Sequence, residues 1–170
     1  VKTIFDIDFE KLKENGIEYV LIDLDNTLVP YDDHKPSQKI ITLMEKLNKM
    51  FKGIMIISNN NEYRVKGFCH DINCDYIFSA KKPLKFGFRK ALKLFDHPKP
   101  SSVMLIGDQF MTDVFGGNRM GFYTIVVDAI KRKTEKWYTK INRYFERKMM
   151  KRLEKKDPEF YHLHKLGEKR

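Results

Sequence analysis

Apolar residues gather in this chain in two alternating kinds of stretch. Short unbroken runs, Tyr19-Val20-Leu21-Ile22, Ile54-Met55-Ile56-Ile57, Tyr76-Ile77-Phe78 and Val103-Met104-Leu105-Ile106, suit strands buried on both faces, as parallel strands are, and Tyr123-Thr124-Ile125-Val126-Val127 reads as a fifth strand. Between them the apolar positions recur every three or four residues, the period of a helix with one face on a core. The first such helix, Phe9–Asn15, starts after Asp8 as a cap and stops at Gly16. The second follows Ser37 with Ile40, Ile41, Leu43, Met44, Leu47 and Phe51, and Gly53 is expected to close it. A third begins near Glu62 and turns Val65, Phe68 and Cys69 inward. A fourth, Leu84–Phe95, cannot continue past Pro98 and Pro100, and a fifth spans about Thr112–Met120 and ends at Gly121.

Strand and helix alternate five times, which implies right-handed crossovers and a doubly wound, Rossmann-like α/β domain. Its sheet is five-stranded and mostly parallel. No internal repeat or low-complexity segment interrupts it, and 170 residues are enough for one such domain. The domain is expected over 1–130, with 131–170 as a separate extension.

The formal charge of +10 changes that picture, because it is concentrated. Residues 131–170 hold 15 Lys and Arg against 6 Asp and Glu, whereas 1–130 hold 18 against 17. From Lys131 the extension sets Trp137, Ile141, Tyr144, Phe145, Met149 and Leu153 at helical spacing among Lys136, Lys140, Arg143, Arg147, Lys148, Lys151 and Arg152. A basic helix with a narrow apolar stripe has three fates. It lies on an anionic phospholipid surface, it docks on its own body or on a second copy, or it binds the phosphates of nucleic acid, the last the weaker expectation. Past Pro158, Tyr161-His162-Leu163-His164 has no site-like pattern and is expected to fray.

No apolar stretch approaches the roughly 18 residues that span a bilayer, and no signal pattern opens the chain. The expected location is the cytoplasm, with peripheral membrane contact open to the tail, and native residues are expected ahead of Val1. Cys69 and Cys74 do not make a disulfide framework, and with His70 they lack the fourth ligand of a structural zinc site.

The residues that follow the strands carry the candidate chemistry. Asp23 and Asp25 follow the first, Ser58 the second, Lys82 the third, and Asp108 with Asp113 the fourth. In a sheet ordered 3-2-1-4-5, the first and fourth strands are neighbours where ligands bind, so Asp23 and Asp108 face each other across one crevice. Like charges that close require a cation, and carboxylate oxygens suit Mg²⁺. An EF-hand does not account for Asp23-x-Asp25, because Leu28 stands where that loop needs glycine and His34 where it needs glutamate. Asn60 and Asn61 read as caps for the helix at Glu62, and Lys81 as a solvated neighbour of Lys82.

Together, Asp23-x-Asp25-Asn26-Thr27-Leu28, Ser58-Asn59-Asn60, Lys82-Pro83 and Gly107-Asp108-x4-Asp113 resemble, in order and strand context, the four motifs of the haloacid dehalogenase superfamily. The likeness is nearest to subfamily IIIA phosphatases of the YqeG type, which are similar to phosphatidylglycerophosphate phosphatases, and it covers about 5–145. The resemblance implies a phosphomonoester hydrolase that uses Mg²⁺ and an aspartyl-phosphate. In it Asp23 is the nucleophile and Asp25 the proton donor and acceptor. Asp23, Asp25 (through its main-chain carbonyl) and Asp108 hold the metal, and Asp113 orients Asp108 and metal-bound water or ligates directly. Ser58, Asn59 and Lys82 bind the phosphoryl group, and Thr27, with Asn59, is a supporting donor. Leu28–Ile56 is 29 residues, mostly one helix, and Ser58 to Lys82 is similarly tight. Neither gap holds a cap domain, so the crevice is expected to be open and to admit a bulky phosphorylated substrate, with phosphatidylglycerophosphate leading. The competing expectation is a catalytically idle body whose tail binds RNA or membrane.

Overall fold

The computed structural model describes residues 1–131 and 137–159. Five parallel strands form one sheet in the order β3-β2-β1-β4-β5, the expected 3-2-1-4-5. They are β1 (Tyr19–Ile22), β2 (Gly53–Ile57), β3 (Asp75–Ile77), β4 (Val103–Gly107) and β5 (Tyr123–Val126). In register, Ile22 of the central strand lies between Ile56 and Ile106. All three strands therefore end level, and the residues that follow them meet at one edge.

The strand period of two divides the unbroken apolar runs between two cores. Val20, Ile22, Ile54, Ile56, Met104 and Ile106 point to one face, where they pack with Phe9 of α1 (Phe9–Glu14), Met44 and Leu47 of α2 (Gln38–Met50), and Val65 and Phe68 of α3 (Glu62–Ile72). Leu21, Met55, Ile57, Val103 and Leu105 point to the other, under Phe88 and Ala91 of α4 (Lys85–Leu94) and Phe122. The caps follow sequence. Ser37 Oγ accepts the Ile40 amide, Asp8 the Lys11 amide and Asn61 the Arg64 amide, while Asn73, at φ 46°, ends α3 in the left-handed region.

Two expectations need correction. Gly53 does not close α2, which ends at a Phe51 cap; it is the first residue of β2. A Cβ there would come within 2.9 Å of the Phe95 ring and 3.1 Å of the Tyr19 ring, which themselves lie 4.9 Å apart. Close approach, not left-handed backbone, selects glycine. The helix expected over Thr112–Met120 instead starts as a π-turn, Phe110–Val114, and continues as α5 (Phe115–Asn118). A π-bulge of this kind marks functional sites often, and this one carries Asp113.

The extension contains α6 (Trp137–Lys156), the expected basic helix. Glu146 on it is buried and accepts the Met111 amide at 3.1 Å, which fastens α6 to the π-turn. Arg147, Lys148, Lys151, Arg152, Lys155 and Lys156 are exposed. The side chains of Trp137, Ile141, Phe145, Met149 and Leu153, and the whole of Tyr161–His164, lie outside the described residues. Among the described residues, no helix is long and apolar enough to cross a membrane.

The packing predicts opposite effects for two glycine replacements measured by denaturant unfolding. Gly53→Ala should destabilise by about 1–3 kcal/mol, because the new methyl overpacks two rings. Gly67→Ala, on the exposed face of α3 with nothing within 4 Å, should stabilise by about 0.5–1 kcal/mol.

Candidate active site

The β1 ladder continues one step past the strand, with the Asp23 amide donating to Ile106 O at 2.8 Å, so Asp23 is set by the sheet itself. The chain then turns sharply. Asn26, at φ 63°, donates its amide to Val29 O at 2.7 Å. Its carbonyl and side chain accept the amides of Ile130 and Lys131, which ties the turn to the segment leaving β5.

Asp23, Lys82, Asp108 and Asp113 are all buried at this edge. Lys82 Nζ lies 2.7 Å from Asp23 Oδ1 and 2.6 Å from Asp113 Oδ1. Carboxylate oxygens of Asp23, Asp108 and Asp113 fall within 4.8 Å of one another. Burial pushes the Asp23 carboxyl well above the usual range, Lys82 opposes that shift, and Asp113 and Asp108 add to it. At Lys82 burial works against the ammonium, but the charges of Asp113 and Asp23 outweigh it and hold the proton more firmly than in water.

Among the described residues, the three buried carboxylates of this cluster are gathered around one ammonium, that of Lys82. Oxygen-only ligands of this kind fit a hard divalent cation such as Mg²⁺. Gly107 is what allows the cluster to close, since a Cβ there would stand 2.3 Å from the Asp113 carboxyl carbon. Asp113 is further held by the Gln109 amide and the Thr112 hydroxyl, each at 3.2 Å.

Ser58 is buried and its Oγ accepts the Asn60 amide at 3.0 Å, a contact that does not use the hydroxyl's own donor. Thr27 Oγ1 is buried with no hydrogen-bond partner among the described residues. Asn59, expected to bind phosphate, gives both amide atoms elsewhere. It accepts the Lys82 amide at 2.7 Å and donates to Lys82 O at 3.0 Å, so it holds the lysine's backbone in place. Lys81 is exposed, as expected.

Asp25 departs from the cluster. Its Oδ1 accepts Arg64 Nε at 3.2 Å and Nη2 at 3.1 Å, and its Oδ2 accepts Asn60 Nδ2 at 3.1 Å. Arg64 is buried and also reaches Pro30 O and His34 Nδ1, each at 3.2 Å. The capping role read for both asparagines belongs to Asn61 alone, and Asn60 faces the site. Arg64 was not legible as a site residue. The available signal was a lone arginine one position before the inward-facing Val65, where the helical period buries a charge.

Cys69 and Cys74 stand apart from this site as free thiols. Burial pushes Cys69 up and Cys74 up to about 12, as suits thiols that take no part in chemistry.

A family model described as Mitochondrial PGP phosphatase matches residues 1–131. The chain is 38% identical over 156 residues to the Bacillus subtilis (strain 168) protein named "Probable phosphatase YqeG", covering 92% of this chain and 90% of that one. It is 29% identical to "Phosphatidylglycerophosphate phosphatase 1, chloroplastic/mitochondrial" of Arabidopsis thaliana, over 89% of this chain and 46% of the relative. Among solved structures, the HAD-hydrolase YfnB of Bacillus subtilis, described as bound to magnesium, superposes with a TM-score of 0.54 at 14% identity. That match covers 64% of this chain and 85% of YfnB, and it agrees with the fold.

Two stability measurements test this geometry without reference to turnover. Mg²⁺ at about 100 times its Kd should raise the unfolding free energy by about 2.7 kcal/mol, and Asp108→Asn should remove most of that increment. In EDTA, Asp23 has a folded pKa above the unfolded 3.8, so its stabilising contribution is full below that value and is lost as pH rises through the folded one. Asp23→Asn should flatten that decline, as read by thermal unfolding at a series of pH values.

Proposed function

The chain belongs to the mitochondrial PGP phosphatase family and is a phosphatase of the haloacid dehalogenase type, and on that premise we propose that it hydrolyses a phosphomonoester through an Mg²⁺-dependent aspartyl-phosphate route. The observation that carries the reading is the buried Asp23 carboxylate, 2.7 Å from Lys82 Nζ, in one cluster with Asp108 and Asp113 at the end of the central strand. Phosphatidylglycerophosphate is the leading substrate. The family description and the Arabidopsis relative's name support it, and so does a crevice that the short connections leave without a cap domain.

Asp23 attacks phosphorus with the oxygen not committed to Lys82, and the P–O bond to the leaving group breaks as the P–O bond to Asp23 forms. Lys82 and the Ser58 hydroxyl meet the transferring oxygens, where negative charge is spread in the transition state. Asp23, Asp108, Asp113 and the Asp25 main-chain carbonyl would hold Mg²⁺, which would supply positive charge to the phosphoryl group. Asp25 gives its proton to the departing alkoxide and later takes one from the water that cleaves the aspartyl-phosphate.

The exposed cations of α6 support an anionic surface as partner, and a cytoplasmic chain in peripheral contact with a membrane fits them.

Asp23→Asn should lower turnover of an aryl phosphate by at least about 10³-fold. Asp25→Asn should lower kcat/KM, which reports the phosphorylation step, by about 10²–10⁴-fold on an alkyl phosphate and much less on an aryl phosphate, whose leaving group departs without a proton. Arg64→Gln should show the same leaving-group dependence in weaker form. A panel of lipid, sugar, nucleotide and protein phosphates decides the substrate. Phosphatidylglycerophosphate should have the highest kcat/KM, and a higher value for a water-soluble sugar phosphate or nucleotide would remove the lipid reading.

A further inference from the structure

We propose that the rim of the crevice is a membrane-contact face, on which the chain lies against an anionic bilayer with the active site turned to the lipid phosphates. In a parallel α/β sheet the helix following each strand begins at the carboxyl edge, so the first turns of α3 and α4 stand around the same opening as Asp23, and α5, which continues the π-turn after β4, adjoins the Lys82 loop where Gly116 meets Pro83. Each presents an aromatic ring to solvent. Tyr63 is 89% exposed, Phe86 64% and Phe115 49%, and Leu84, the residue before α4, is 56% exposed.

These side chains surround the loop that holds Lys82. That loop is bonded to the end of β2 through Ser79 N to Asn60 O at 2.8 Å and through the Asn59 clamp. It meets α5 where Gly116 lies against Pro83, so close that a Cβ on Gly116 would be 3.2 Å from the Pro83 Cα. Leu84 and Phe115 therefore flank one contact.

The rings are paired with cations. Lys81 Nζ lies 6.0 Å from the Phe86 ring centroid, and the Arg119 guanidinium carbon 5.4 Å from that of Phe115. The first turns of the three helices contain one acid between them, Glu62. Large apolar groups set among cations are the composition of a surface that sits at the headgroup level, with rings toward the acyl boundary and cations on lipid phosphates. The sign of the charge selects an anionic surface. The orientation rests on the lipid-phosphate reading above, because only a substrate held in the bilayer makes a rim around the site useful.

The test is co-sedimentation of the full chain with vesicles of mixed phosphatidylglycerol and phosphatidylcholine, beside vesicles of phosphatidylcholine alone. Binding should require the anionic lipid and weaken with salt. The double variants Phe86→Ser/Phe115→Ser and Lys81→Glu/Arg119→Glu should each lose about tenfold or more in vesicle affinity. Their turnover of a soluble aryl phosphate should stay within about twofold, which also shows that they fold. Leu94→Ser/Tyr123→Ser replaces side chains equally exposed, at 58% and 52%, on the opposite edge of the sheet, and it should bind like the parent. The proposal is overturned if the parent ignores anionic vesicles, if the rim variants bind them undiminished, if the control loses as much, or if RNA displaces the vesicles. Asp23→Asn should still bind vesicles, so a failure of the catalytic reading and a failure of the rim are told apart.

Discussion

The Lys82 ammonium, buried between Asp23 and Asp113, is the interaction on which this structure depends. A charge removed from water is tolerable only when paired at hydrogen-bond distance, and both of its contacts are below 3 Å. Several features exist to keep that arrangement. The Asn59 amide fixes the Lys82 backbone, the absence of a side chain at Gly107 lets Asp113 approach, and the π-turn places Asp113 beneath the lysine. Among the described residues, that one ammonium stands among three carboxylates. The proposed chemistry draws on this arrangement for a nucleophilic carboxylate, a place for a divalent cation, and a positive group for the phosphoryl oxygens.

Much of the fold was legible because a parallel sheet buried on both faces writes itself as unbroken apolar runs. The parallel sheet followed from their alternation with helices, and the observed order, with β1 between β2 and β4, brings Asp23, Ser58 and Asp108 to one edge. Local exceptions were hidden for physical reasons. Gly53 resembles a helix stop because glycine serves both left-handed turns and close packing, and only the Phe95 and Tyr19 rings decide between them. The π-turn leaves no mark in the residue pattern, since one extra residue in a turn scarcely alters the spacing of apolar positions.

The site divides in the same way. Groups at strand ends were legible, whereas Arg64 and Asn60 were not, because they act on Asp25 from a helix start more than thirty residues away. Asn59 was assigned to phosphate, but its amide is satisfied by backbone. Side-chain amides often serve in this way, and no one-dimensional pattern distinguishes the two uses. The tail was read as a basic helix, and its anchor proves to be an acid. Glu146 fastens α6 to the π-turn and leaves the cations outward, so the extension touches the element that bears Asp113.

The central claim is that Asp23 becomes phosphorylated. The direct measurement is an acid quench of Asp25→Asn during turnover of an aryl phosphate, a substrate that phosphorylates the enzyme without needing a proton donor while the second step lacks its base. The quenched protein should carry hydroxylamine-labile phosphate on the peptide that contains Asp23. Absence of any phosphorylated protein, or phosphate on a residue other than Asp23, would contradict the mechanism derived from this geometry.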